Sequence, residues 1–316
     1  MAMPLVETKN LKKYFKTGAG MLHAVEDVNL KIMPGKTLGV VGESGCGKST
    51  LGRTILRLQP ATAGEVLYNG ENILKYKGKD MQKIHLNMQM VFQDPYSSLD
   101  PRMSVHNLIA EPVQVCGLLK TKAEINEHVR EIMDMCGLPA DQANLYPHEL
   151  DGGLRQRVGL ARAMAVSPKF IVCDEPVSVL DVSIQAQILN LLMDLQEQRE
   201  LSYMFITHDL CVVKHISDEI MVMYMGQVVE HAKTAELFAN PVHPYTKALL
   251  HAVPTIDLSR RNREGFMLRG EVTSPINPAP GCRFAPRCPY ATDKCKENVC
   301  LKEVSPDHFV ACSLCD

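Results

Sequence analysis

Apolar and polar positions change rhythm along the chain. In the opening third they form short alternating runs: Leu5-Val6-Glu7-Thr8, His23-Ala24-Val25 and Val28-Asn29-Leu30-Lys31-Ile32. These predict a β-rich layer. A turn is predicted at Asn69-Gly70, after Gly64-Glu65-Val66-Leu67-Tyr68. From about Pro95 to Ala165 the apolar spacing becomes helical, as in Ile125-Asn126-Glu127-His128-Val129-Arg130-Glu131-Ile132-Met133. The run Phe170-Ile171-Val172-Cys173, a helix around Ile188-Leu189-Asn190-Leu191-Leu192, and the strand Tyr203-Met204-Phe205-Ile206 follow. Strand and helix alternate, which predicts a parallel sheet covered on both faces. Beyond Val253 the texture changes again. Pro254, Pro275, Pro278, Pro280, Pro286 and Pro289 mark a loop-rich appendage.

Within this rhythm Gly42-Glu43-Ser44-Gly45-Cys46-Gly47-Lys48-Ser49 fits the phosphate-loop pattern Gly-x4-Gly-Lys-Ser/Thr. It sits between the strand-like Leu38-Gly39-Val40-Val41 and the helical Thr50-Leu51-Gly52-Arg53-Thr54-Ile55-Leu56. Glycines let successive backbone N–H groups converge on a polyphosphate, and the helix N-terminus adds partial positive charge. Lys48 is expected to reach the outer phosphates and the Ser49 hydroxyl to join a magnesium shell. Gly42, Ser44, Gly45, Cys46, Gly47, Lys48, Ser49 and Thr50 are the candidate ATP contacts. A second chemical cue is Asp174-Glu175, two carboxylates ending a buried strand, where ligands bind in open α/β sheets. Asp174 suits magnesium held through water, and Glu175 suits polarising an attacking water.

Composition narrows the class. At 316 residues the chain holds one large α/β domain and a smaller module. A net charge of −2 with dispersed basic residues leaves no electrostatic footprint for nucleic acid. No apolar run reaches the roughly 18–20 residues that span a bilayer, and the start is not a signal peptide. The expectation is a chain soluble in the cytoplasm or held to a membrane by other subunits. Six of the 11 cysteines crowd between Cys282 and Cys315, a cluster that in a reducing compartment points to metal rather than disulfides.

Further segments follow the phosphate loop in order: Val91-Phe92-Gln93-Asp94, Leu150-Asp151-Gly152-Gly153-Leu154-Arg155-Gln156-Arg157, Phe170 to Pro176, and Ile206-Thr207-His208-Asp209. Together they resemble the nucleotide-binding domain of ABC transporters. Asn240-Pro241-Val242-His243-Pro244-Tyr245 and the cysteine-rich tail look like the oligopeptide/dipeptide/nickel importer branch. The resemblance implies an α/β P-loop NTPase with an N-terminal antiparallel β layer and a helical subdomain at about 94–165. The nucleotide-binding domain would span 1–255 and a small Cys-rich C-terminal extension 256–316. It implies an ATPase with Glu175 and His208 as catalytic residues, although a strand-end histidine taken alone is more often structural. Tyr14 would stack on adenine, simple packing being the other reading. Gln93 would join Ser49 and Asp174 around magnesium. Asp151, Gly152, Gly153 and Asp181 would act in trans, across a dimer.

The family's signature reads Leu-Ser-Gly-Gly-Gln, whereas this chain has Leu150-Asp151-Gly152-Gly153-Leu154. Aspartate caps a helix as well as serine, so the fold need not suffer. The chemistry should. An ionised Asp151 loses a donor to phosphate and adds a like charge, about 2–5 kcal/mol or a factor of roughly 30 to several thousand. The expectation is an asymmetric heterodimer with a paralogous ABC ATPase subunit, two transmembrane permease subunits and an extracytoplasmic peptide-binding protein, on the cytoplasmic face of the membrane. A tolerated variant is the blander reading. Cargo would be di- or oligopeptides; nickel or another small solute, or a regulatory subunit of low activity, are the alternatives. Cys282, Cys288, Cys295 and Cys312 match the cysteines that hold a 4Fe-4S cluster in peptide-importer ATPases. Zinc and free thiols are the other readings, and Arg283, Arg287, Lys294 and Lys296 are expected to offset a cluster's charge.

Overall fold

A computed structural model of the chain describes residues 3–252, 274–297 and 299–315. The chain divides into two compact units. One comprises Met1–Ile32, Thr37–Leu74 and Phe205–Asp316; the other comprises Met33–Lys36 and Lys75–Met204. The expected boundary at 255/256 lies outside the described residues.

In the first unit, β1 (Val6–Thr17) pairs antiparallel with β2 (Gly20–Ile32) and with β4 (Ala63–Tyr68). β4 turns into β5 (Glu71–Asn72) through Asn69-Gly70, both at positive φ, the geometry that makes this dipeptide a hairpin turn. The sheet order is β2-β1-β4-β5, which is the antiparallel layer that the sequence predicted. The alternation in β1 is interrupted because its register shifts between Thr8 and Leu11. That shift lets Val6, Thr8, Leu11 and Lys13 all turn inward.

β3 (Thr37–Val41) is buried at every position and leads directly into the phosphate loop. It pairs in parallel with β9 (Glu219–Tyr224), which pairs antiparallel with β10 (Gln227–Lys233). The C-terminal segment then departs from the loops expected of it. Its strands β11 (Lys302–Ser305) and β12 (His308–Val310) extend this sheet, β12 pairing with β10. Phe284 from the same segment is buried with Tyr224, Tyr245, Val222 and Leu237, and Cys282 and Cys288 pack at the edge of that cluster. The segment lacks apolar residues for a core of its own and shares the first unit's core instead.

A buried carboxylate ties the segment down. Glu230, fully buried, accepts from the Val242 and His243 N–H groups at 2.8 and 2.9 Å and from His308 Nε2 at 2.8 Å. Each donor offsets part of the cost of burying the charge.

In the second unit, β6 (Met88–Val91) and β7 (Phe170–Asp174) run parallel, Val91 opposite Cys173. β8 (Ser202–Ile206) lies beside β7 and ends in the first unit. The stretch predicted to be helical contains helices Val105–Val115, Lys122–Met135 and Gly152–Met164. Lys122–Met135 starts in a capping box. Thr121 Oγ1 accepts from the Glu124 N–H, and the Glu124 carboxylate accepts from the Thr121 N–H. Ile125, Val129, Ile132 and Met133 form its buried stripe. Among the described residues no helix is long and apolar enough to cross a membrane.

His243 caps helix Pro244–His251 by accepting the Tyr245 N–H at Nδ1, 3.1 Å. Burial lowers its pKa from 6.5 to about 4, so the folded chain holds it neutral. The unfolded chain therefore binds the extra proton between those values, and stability falls as pH drops from 6.5 toward 4. The expected loss is up to about 3 kcal/mol. Urea unfolding at several pH values should show a steeper fall between pH 6.5 and 4 in the wild-type chain than in His243→Asn, which keeps a capping acceptor.

Candidate functional site

The phosphate loop is built by what surrounds it. Gly47, which caps helix Lys48–Ile55, has φ +105°, and a Cβ there would lie 2.0 Å from the Ala24 carbonyl oxygen. Only glycine fits this close approach. Leu51 and Ile55 anchor the helix in the core. Lys48 is 4% exposed, and its Nζ donates to the Gly42 and Glu43 carbonyls at 2.8 and 3.0 Å. A phosphate oxygen is a stronger acceptor for the same ammonium. Cys46 is buried within the loop, and burial pushes its thiol pKa up.

Tyr14 stacks on His23 with ring centroids 4.0 Å apart. Both side chains bond the Glu26 carboxylate, which Arg283 Nη2 also reaches at 3.0 Å. Burial works against the Glu26 charge. The bonds from Tyr14, His23 and Lys12 and the Arg283 charge nevertheless hold its pKa below the usual carboxylate range. Burial and the same carboxylate push the Tyr14 phenol up to about 12. His208 is exposed just past β8, ahead of a helix capped by Asp209.

The second unit carries the carboxylates. Asp174 ends β7 fully buried, and Glu175 follows at φ +46°. The parallel register of β6 and β7 puts Gln93 and Glu175 at equivalent positions, two residues past Val91 and Cys173. Gln93 Nε2 donates to Glu175 Oε2 at 3.0 Å. The glutamine expected at magnesium and the carboxylate expected to polarise water thus meet.

Asp151 caps helix Gly152–Met164, accepting the Leu154 N–H at 2.8 Å. The helix therefore starts as it would from serine. Gly153 lets it approach Val182–Arg199 closely, since a Cβ would lie 2.6 Å from Ile184 Cγ2. Asp181 caps that neighbouring helix through the Ser183 and Ile184 N–H groups. A bond from the Ser183 hydroxyl, with those N–H groups, holds its pKa below the usual carboxylate range. Val179 and Val182 flank it at 70% and 82% exposure.

In the tail, Cys282 N–H donates to the Cys295 carbonyl at 2.8 Å, and Cys295 Sγ bonds Ser313 Oγ at 3.1 Å. Burial pushes the Cys282 thiol up to about 11. Four cysteines are a fitting donor set for iron or zinc. Among the described residues, however, no group of three or more His, Cys, Asp or Glu is arranged to hold a metal ion. Three of the four basic residues expected to neutralise a cluster are engaged elsewhere. Arg283 pairs with Glu26, Arg287 with Glu43 and Lys296 with Asp293. The Glu26 and Glu43 carboxylates attract the two guanidiniums more strongly than neutral thiols can. Sequence reasoning missed Glu26, Glu43 and the β11–β12 pair. The last had a signal in Lys302-Glu303-Val304-Ser305 and His308-Phe309-Val310, separated by Pro306-Asp307.

A phosphate loop, a strand ending in paired carboxylates, a glutamine against the second of them and a capped signature helix together define an ABC-type ATPase. The comparisons agree. A family model described as ABC transporter matches residues 25–178, and one described as Oligopeptide/dipeptide transporter, C-terminal region, matches 229–295. The oligopeptide transport ATP-binding protein AppF of Bacillus subtilis is 47% identical over 98% of this chain and 97% of its own length. Among solved structures, cbiO1 from Clostridium perfringens, part of the transporter complex cbiONQ, has a TM-score of 0.67 at 26% identity. That match covers 75% of this chain and 92% of cbiO1. The ATP-binding cassette MJ0796, solved as a dimer bound to ADP and Pi, has a TM-score of 0.66 at 29% identity, over 72% of this chain and 98% of its own. The chain belongs to the ABC transporter family, in the branch that carries the oligopeptide/dipeptide C-terminal region.

Proposed function

We propose that this chain is the ATP-hydrolysing subunit of an importer of di- or oligopeptides. It would act at the cytoplasmic face of the membrane with two permease subunits, an extracytoplasmic binding protein and a paralogous ATPase. The cargo reading is supported by the oligopeptide transport names of its relatives and by the matched C-terminal region. The observation that carries the hydrolytic reading is the Gln93–Glu175 hydrogen bond, which orients the carboxylate proposed as general base. Lys48 and the loop N–H groups bind the phosphates, Ser49, Gln93 and Asp174 hold magnesium, Tyr14 takes the adenine and His208 the terminal phosphate. Bound magnesium supplies charge neutralisation for the leaving phosphates.

The working unit is an asymmetric heterodimer. Exposed Val179 and Val182 beside Asp181 offer an apolar rim for a second ATPase, and a similar cassette was solved as a dimer. The Asp151 carboxylate, in the place of the family's serine, would face the nucleotide of the partner and slow its hydrolysis. This chain's own nucleotide would meet a normal signature. In a reconstituted complex whose Glu175→Gln silences this chain's site, Asp151→Ser should raise the remaining ATPase rate by at least about thirtyfold. The melting temperature should not change, because serine caps equally well. An unchanged rate rejects the asymmetry.

We infer further that Cys282, Cys288, Cys295 and Cys312 hold a structural 4Fe-4S cluster. In support, the Cys282 N–H and Cys295 carbonyl are bonded. Anaerobically purified chain should carry iron and acid-labile sulfide in equal amounts. Zinc alone, or no metal, rejects the cluster.

A further inference from the structure

A phosphate loop binds a polyanion, yet the first variable position of this one is a carboxylate, Glu43. An unscreened negative charge there opposes the ligand that the loop is built to hold. The fold places one cation against it. Arg287 Nη1 donates to both Glu43 carboxylate oxygens, at 2.8 and 3.1 Å, and the arginine side chain is 8% exposed. Arg287 comes from the far end of the chain, in the turn Ala285–Arg287 between Cys282 and Cys288. The backbone of Glu43 is fixed as well. Its N–H donates to the Tyr245 hydroxyl at 2.8 Å and its carbonyl accepts from Lys48 Nζ at 3.0 Å. The Tyr224 hydroxyl lies 3.4 Å from Arg287 Nη1, so the two aromatic residues packed on Phe284 also hold this pair. Arg287 Nε is buried without a hydrogen-bond partner among the described residues. An incompletely satisfied buried guanidinium is poorly explained by stability alone.

We propose that Arg287 is an electrostatic positioning residue for nucleotide binding: it neutralises the Glu43 carboxylate inside the phosphate loop and holds it away from the triphosphate. The C-terminal segment thereby sets the nucleotide affinity of a site formed far from it in sequence. The inference rests on the loop holding nucleotide and is independent of the asymmetric dimer and of any metal in the tail. It also separates two consequences of Glu43. With Arg287 present the carboxylate is neutralised; without Arg287 it repels the ligand.

The test is equilibrium binding of a fluorescent ATP analogue, with magnesium, to the full chain, well below each variant's melting temperature. Arg287→Ala should weaken binding about tenfold, and the loss should shrink as salt is raised. Adding Glu43→Gln to Arg287→Ala should restore affinity to within about threefold of wild type, which a packing role for Arg287 would not do. Lys233→Ala removes an exposed ion pair to Asp307 in the same segment and should leave affinity unchanged. Equal affinities for wild type and Arg287→Ala, or a double variant no better than Arg287→Ala, overturn the inference. If Arg287→Ala does not fold, Glu43→Gln alone decides: binding as tight as wild type or tighter supports it, and weaker binding overturns it. A wild-type chain that binds no nucleotide at all would instead be a failure of the nucleotide reading.

Discussion

The backbone of the phosphate loop depends on close approaches that only glycine permits, foremost that of Gly47 to the Ala24 carbonyl. This contact turns the chain from β3 into its helix with the loop N–H groups left to face an anion. Around it the first unit supplies rigid walls. β3 is buried throughout, Leu51 and Ile55 fix the helix, and Tyr245 holds the Glu43 N–H. Lys48 closes the ring by bonding two loop carbonyls. Such a loop needs little reorganisation to receive phosphate, and preorganisation of this kind is where affinity is gained.

The signature segment shows how fold and chemistry come apart. Helix Gly152–Met164 needs only a side-chain oxygen at its N-terminus, and Asp151 provides one at 2.8 Å. Its neighbour, Val182–Arg199, uses Asp181 in the same way. A serine-to-aspartate exchange is therefore nearly silent for folding while it changes the charge offered to a ligand. The tail makes a related point. Its cysteines attract notice, but its strands and Phe284 are what join it to the first unit.

Much of this was legible in the sequence because the signals are local. The motif around Lys48 lies between an apolar strand and a helix, Asn69-Gly70 is a turn by its own chemistry, and Ile125 to Met133 keep helical spacing. The Gln93–Glu175 meeting follows from two strands that run parallel in register. Illegible were the partners fixed only by tertiary packing. Arg287 and Glu43 stand 244 residues apart, Arg283 and Glu26 stand 257 apart, and no periodicity links them. The loop-like texture after Val253 hid β11 and β12, because short strands among prolines carry a weak pattern and gain their order from β10.

The most direct measurement is Mg-ATP binding by Gly47→Ala, with folding followed by circular dichroism. The added methyl has no room beside the Ala24 carbonyl and imposes a backbone angle that alanine resists. The expected result is a folded chain whose affinity for Mg-ATP has fallen by more than about a hundredfold. A folded Gly47→Ala chain that binds Mg-ATP as tightly as wild type would contradict the account.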